Sequence, residues 1–149
     1  MISKILVPTD GSKPAKKSVE YAAVLAKQVG ATITLVSVVD KSVFLPQAIP
    51  SGATSAHVMV PIENILRRAA EAYIQEAEKL CRKFEIQTRA VIRSGHPVVE
   101  IIREAQKSKV DLIVIGSNGR SALKAAVLGS VTFGIISKET KTPVLVVRR

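Results

Sequence analysis

The sequence of 149 residues holds a single cysteine, Cys81, and no tryptophan. One thiol excludes a disulfide framework and a cysteine metal cluster, and it points to a cytoplasmic setting. Aromatics are scarce. The two tyrosines and three phenylalanines do not alternate with basic residues as base-stacking platforms would. No apolar run approaches the roughly 18 residues of a membrane span, although 47% of the chain is hydrophobic. The opening MISKILVPTDGS has only a short apolar run and no cleavage site after a long one, so it reads as a first strand and not a secretory signal. Acidic residues are the minority, 12 against 22 lysines and arginines, for a net charge of +10. That excess raises nucleic acid or an anionic membrane as a partner. The basic residues are scattered in pairs such as Lys16-Lys17, Arg67-Arg68 and Arg82-Lys83, with no long block. They read as a solvated basic surface, which argues against nucleic acid, and a polyanionic nucleotide would suit the same field.

What is present alternates. Ile5–Val7 is a short strand ending in the turn formers Pro8-Thr9-Asp10-Gly11-Ser12. Ser12 is placed to cap a helix with Pro14 in its first turn, Val19, Ala22, Ala23, Ala26 and Val29 follow at helical spacing, and Gly30 stops it. Residues 32–39 (TITLVSVV) fit a strand buried on both faces. Residues 41–61 carry Pro46, Pro50, Gly52 and Pro61 and read as a mobile loop of about 20 residues, a lid or binding loop. Ile62, Ile65, Leu66, Ala69, Tyr73, Ala77, Leu80 and Phe84 then mark a long amphipathic helix. Further strands are expected at 88–92, 111–115 and 144–147, and helices at 98–107 and 130–139. Pro97 opens one helix and Pro143 the last strand, both permitted places for proline.

Five strands alternating with four helices imply one α/β domain over 1–149, an open parallel sheet covered on both faces. In such a sheet, ligands bind outside the carboxyl ends of the strands at the switch point of strand order. With the order 3-2-1-4-5, that point lies between the first and fourth strands and brings Asp10 beside Gly116. The fourth strand runs straight into GSNGRSALKAAVLGS, residues 116–130. Clustered glycines after a buried strand suggest a phosphate cradle, and Ser130 is placed to cap a helix whose N–H groups attract anions.

These segments together resemble the universal stress protein family, in its ATP-binding branch, over essentially the whole chain. The resemblance rests on KILVPTDGS, TLVSVVD, the Gly95-His96-Pro97 turn, DLIVIGSNGRS, VLGSV and TPVLVVRR. The family signature G-x2-G-x9-G-S/T is matched by Gly116, Gly119, Gly129 and Ser130. The resemblance implies a Rossmann-like, adenine nucleotide alpha hydrolase-like fold. It implies that Pro8, Thr9 and Asp10 line the adenosine end, with Asp10 accepting from ribose hydroxyls. The main chain of Val38 would read the adenine edge, and Gly116, Asn118, Gly119, Gly129, Ser130 and Val131 would surround ribose and phosphates. ATP is the implied ligand, with AMP or ADP as alternatives and Mg²⁺ accompanying the phosphates. A homodimer through the C-terminal strand is implied as well. Asn118 stands where the family often has histidine or arginine, and Ala122 where glycine is common.

The chain contains no GxxxxGK[ST] loop, and no aspartate is placed to orient an attacking water. No catalytic residue and no metal ligand is therefore assigned. The expected function is an ATP-binding stress-response or regulatory module with at most slow hydrolysis. A slow ATPase or nucleotide-transferring enzyme is the alternative, and a nucleotide-free interaction module fits the intact glycines less well. Asp10 has a second reading as a stabiliser of its turn. Arg120 and Lys124 are placed either to meet a triphosphate or to face solvent. His96 reads as a cap or surface residue, His57 as solvent-facing, and Cys81 as an inert core thiol. Tyr73 and Phe133 read as core.

Overall fold

The computed structural model describes residues 1–43, 55–119, 128–138 and 141–148. The chain runs β1 (Lys4–Pro8), α1 (Lys13–Val29), β2 (Thr32–Val39), a 3₁₀ turn (Lys41–Val43), α2 (Ser55–Lys83), β3 (Thr88–Ser94), α3 (Pro97–Ser108), β4 (Leu112–Gly116), α4 (Ser130–Ser137) and β5 (Val144–Val147). The five strands pair in parallel in the order β3-β2-β1-β4-β5. This is the expected open sheet, with β3 and β5 at its edges.

Side chains on a strand alternate between faces. On β1, Ile5 and Val7 join Val19, Ala22, Ala23 and Ala26 of α1 and Ile74, Ala77 and Cys81 of α2. Leu6 points the other way and joins Val98, Ile101 and Ala105 of α3 and Ile135 of α4. The sheet is thus covered by α1 and α2 on one face and by α3 and α4 on the other. Each fully buried Ile, Leu or Val contributes about 1.5–3 kcal/mol relative to exposure. The alanines of α1 let that helix approach the sheet closely.

Local signals set the helix ends. The Ser12 hydroxyl accepts the N–H of Ala15, and Gly30 closes α1 in the left-handed region at φ 75°. Asp111 ties the starts of β1 and β4 together: its Oδ2 accepts the N–H groups of Ser3 and Lys4 and the Ser3 hydroxyl, each at 2.9 Å. Those donors hold the Asp111 carboxyl below its ordinary value.

Several expectations are corrected. Helix α2 begins at Ser55, not after Pro61, so the segment 41–61 is not one long loop. Proline's φ is compatible with a helix, and although it removes one backbone bond and crowds the carbonyl four residues back, α2 passes through Pro61. The cap residue of α4 is Gly129, and Ser130 is the first helical residue. Phe133 is 61% exposed and Ile136 46%. The short α4 buries Thr132 and Ile135, and the residues one position further on face outward. The part of the expected loop at 44–54, the side chain of His57, and Arg120, Ala122 and Lys124 lie outside what the structure describes.

Candidate functional site

The ladder between β1 and β2 ends before β2 does. Its last rung is the Thr9 N–H donated to the Val36 carbonyl at 2.9 Å. Alternation along β2 points the N–H and C=O of Val38 to the same side as those of Val36, just beyond that rung. Val39 points to the opposite side, where its carbonyl accepts the N–H of Gly95 at 3.0 Å. Val38 is therefore the position at which β2 offers both a donor and an acceptor to the space above β1. Such a pair matches the hydrogen-bonding edge of a base.

That space is a cavity of about 540 Å³ at the carboxyl ends of β1, β2 and β4. It falls within the range of ordinary small-molecule sites. Pro8, Thr9, Asp10, Val38, Gly116, Asn118, Gly119, Gly129, Ser130 and Val131 all line it. All ten residues that the family resemblance implied for the nucleotide thus line one cavity, at the switch point of the sheet.

Around β4 and α4 the backbone folds tightly. The Gly129 N–H donates to the Ser117 carbonyl at 2.8 Å, and the Thr132 hydroxyl donates to the Gly116 carbonyl at 2.7 Å. These two bonds seat the first turn of α4, with its orphan N–H groups, directly over the end of β4. Asn118 is buried, Gly119 is half-buried and Ser130 is exposed. The glycines owe their identity to the protein's own chain as much as to any ligand. A β-carbon on Gly116 would lie 2.9 Å from the Pro14 carbonyl oxygen, and one on Gly129 would lie 3.0 Å from Asn118 Cα.

Asp10 closes the crevice from the β1 side. Its Oδ1 accepts the Ser12 N–H at 2.9 Å, so the turn-stabilising reading of Asp10 is correct. The other oxygen, Oδ2, is directed at Gly119, three residues beyond the expected neighbour Gly116. One oxygen fixes the carboxylate while the other faces the glycine loop.

The remaining lining of the cavity departs from the sequence expectation. Leu66, Ala69, Ala70 and Tyr73 of α2 and Pro97 and Ile101 of α3 form an apolar wall. The helical period of α2 marked Leu66, Ala69 and Tyr73, but the same period describes a core face and a cavity wall equally well. Tyr73 is half-buried here and is not a core residue. Asp40 also lines the cavity, with its Oδ1 accepting the N–H (3.1 Å) and hydroxyl (2.5 Å) of Ser42.

A charged cluster holds α3, and so Pro97 and Ile101, against β3. Arg93 on β3 donates from Nε to Glu100 at 2.7 Å and from an Nη to Glu104 at 3.0 Å. Arg103 reaches Glu100 at 2.6 Å, and the Ser108 hydroxyl donates to Glu104 at 2.5 Å. The Arg93 hydrogen bond, against the opposing effect of burial, holds the Glu100 carboxyl below its ordinary value, and it raises Arg93 in turn. Cys81 is buried among the α1–α2 residues. Burial, with Glu78 adding, pushes its thiol up to about 11, which fits the inert reading. His96 occupies the cap position of α3 and is exposed, with no side-chain cap bond. Among the described residues, no group of three His, Cys, Asp or Glu side chains is arranged to hold a metal, and no helix is long and apolar enough to cross a membrane.

Residues 1–148 match the model of the universal stress protein family. The chain is 30% identical to the universal stress protein MJ0531 of Methanocaldococcus jannaschii, covering 100% of this chain and 84% of that one. It is also 30% identical to the universal stress protein YxiE of Bacillus subtilis, covering 99% and 100%. Among solved structures, the protein MJ0577 superposes with a TM-score of 0.85 at 29% identity, covering 100% and 97%. A universal stress protein in complex with cAMP shares the fold at a TM-score of 0.68 and 23% identity, covering 99% and 97%. The Archaeoglobus fulgidus universal stress protein in complex with dAMP does so at 0.68 and 20%, covering 99% and 100%.

Proposed function

Because the chain belongs to the universal stress protein family, we propose that it is an ATP-binding module whose nucleotide governs a regulatory or stress-response interaction. The observation that carries this reading is the meeting, in one cavity, of the Val38 backbone, the Asp10 carboxylate and the Gly116–Val131 loop. In this reading the adenine edge pairs with the Val38 main chain, and Leu66, Ala69 and Ala70 of α2 with Pro97 and Ile101 of α3 cover the ring. Asp10 accepts from the ribose hydroxyls. The phosphates lie against Asn118, Gly119 and the first turn of α4, where Ser130 adds a hydroxyl and a helix-terminal N–H. The family members solved with cAMP and with dAMP support an adenosine phosphate as the ligand class.

The Ser130 hydroxyl is a hard oxygen donor on the phosphate side, which suits a Mg²⁺ held chiefly by phosphate oxygens and water. Such an ion would offset phosphate charge. Hydrolysis is slow in this reading, because the sequence has no lysine-bearing P-loop and the cavity's only carboxylates among the described residues are Asp10 and Asp40. The alternative, a slow ATPase or nucleotide transferase, is favoured by the nearness of Asp10 to the glycine loop. Single-turnover assays with excess protein decide between them: a chemical step faster than about one per minute, a barrier below about 20 kcal/mol, makes catalysis the better reading.

The proposed assembly is a homodimer through β5, an edge strand of the sheet. Light scattering tests it, and removal of residues 143–149 should leave monomers or insoluble protein. The proposed setting is the cytoplasm, where a free thiol stays reduced. The main experiment is to purify the protein, denature it and identify the released small molecule. An adenine nucleotide at near-stoichiometric amount is expected. A purified chain that neither releases one nor binds ATP, ADP or AMP in calorimetry would sink the reading.

A further inference from the structure

Tyr73 meets the Asp10 turn at its pivot. Gly11 sits in the left-handed region at φ 75°, and a β-carbon there would overlap the Tyr73 ring at Cδ1 and lie 2.9 Å from its Cγ. The ring therefore occupies the space where a side chain at position 11 would go. On either side of that contact the turn is tied down: the Gly11 N–H donates to the Thr9 hydroxyl at 3.3 Å and the Ser12 N–H to Asp10 Oδ1. One helical turn further along α2, Glu76 pairs with Lys16 at 2.8 Å, an exposed contact between α2 and α1, the helix that the turn begins. Among the described residues, Tyr73 is the only aromatic in the cavity wall.

A short acidic side chain goes where its backbone goes, and a binding group must be held to within about 0.5 Å to be effective. The Asp10 backbone is one residue from Gly11. Removing the ring would leave Gly11 free to relax into the vacated space and would carry the carboxylate away from Gly119. We propose that Tyr73 is a positioning residue of the nucleotide site, its ring on α2 setting the Asp10 carboxylate where ribose hydroxyls meet it. This rests on the reading of the crevice as an adenosine-nucleotide site. The contact that carries this effect is the ring's, at Gly11, and it acts through Asp10 and not by direct contact with the base.

The test is a double-mutant cycle with adenosine as probe, read by calorimetry on chains whose folding is confirmed by thermal melting. Tyr73→Phe should bind within about twofold of the parent. Tyr73→Ala should bind about tenfold more weakly in the parent, a shift of about 1.4 kcal/mol, but less than about twofold more weakly when Asp10 is already alanine. Tyr73→Leu, which keeps apolar volume on α2, takes its place in the cycle if the alanine chain does not fold. An unchanged affinity in Tyr73→Ala, or an equal tenfold loss in both backgrounds, would overturn the proposal. A parent chain that binds no adenosine and no nucleotide would instead remove the underlying reading of the site.

Discussion

The Asp10 carboxylate and Gly119 face each other across the crevice so closely that a β-carbon at position 119 would lie 2.6 Å from Asp10 Oδ2. The glycine is thus needed by a protein oxygen, in addition to any phosphate. Gly119→Val would push either the carboxylate or the loop out of place. The expected outcome is a loss of ATP affinity of at least about 100-fold, or about 2.7 kcal/mol, with a melting temperature close to the parent's because the position lies outside both cores. Calorimetry beside a thermal melt checks it. Retained affinity would refute this geometry.

Asp10→Ala should weaken adenosine and ATP by similar factors, because the contact assigned to it is with the ribose. Hydrogen bonds to a charged group contribute about 1.5–3 kcal/mol, so the loss should be roughly 10- to 100-fold for both ligands. Asp10→Asn keeps an acceptor for the Ser12 N–H and controls for loss of the turn. A loss confined to ATP would move Asp10 from the ribose to a metal ion on the phosphates.

The topology was legible because strands and helices differ in period and because every turn carries its own chemistry, as at Ser12, Gly30 and Pro97. The ten residues named from the family resemblance, four of them by its glycine signature, line a single cavity. Two kinds of feature were not legible. The apolar wall of Leu66, Ala69 and Tyr73 shares its period with a core face, and only packing separates a residue that touches neighbours from one that lines a space. Pro61 signalled a break that the chain does not make, because a proline's φ is itself helical and its local cost can be outweighed. The identity of Gly116 was read as room for a ligand, whereas part of that room is filled by Pro14. Contacts between residues a hundred positions apart leave no trace in local pattern.

Arg93→Leu tests the cluster that holds α3 to β3. It would leave the carboxylates of Glu100 and Glu104, both buried, without their shared guanidinium, Glu100 keeping the exposed Arg103 and Glu104 the Ser108 hydroxyl and the exposed Arg89 at 3.7 Å. Stranding a buried charge costs about 3–5 kcal/mol, and these remaining partners should hold the loss to roughly 2–3 kcal/mol. Urea unfolding should show a loss of that order, and nucleotide binding should weaken as well, because Pro97 and Ile101 ride on α3. Replacing Arg93, Glu100 and Glu104 together by apolar residues should recover much of the stability. A loss below about 1 kcal/mol in Arg93→Leu would mean that the pair is effectively solvated.

The same cluster predicts how the fold responds to acid. Arg93 holds the Glu100 carboxyl below the ordinary 4.5 it regains on unfolding. The unfolded chain therefore binds more protons than the folded one in this range, and stability falls as pH falls. The contribution from Glu100 is fully present above 4.5 and is lost as pH drops toward its folded value. Asp111, held low by the Ser3 and Lys4 N–H groups, acts in the same direction from an ordinary value of 3.8. Urea midpoints measured from about pH 6 to pH 3 should decline for the parent chain. The decline should be shallower in Arg93→Leu, because the largest cause of the Glu100 shift is gone while Asp111 is untouched. Parallel curves for the two chains would show that Arg93 does not govern the titration of Glu100, and the acid response would then have to be traced to the Asp111 tie between β1 and β4.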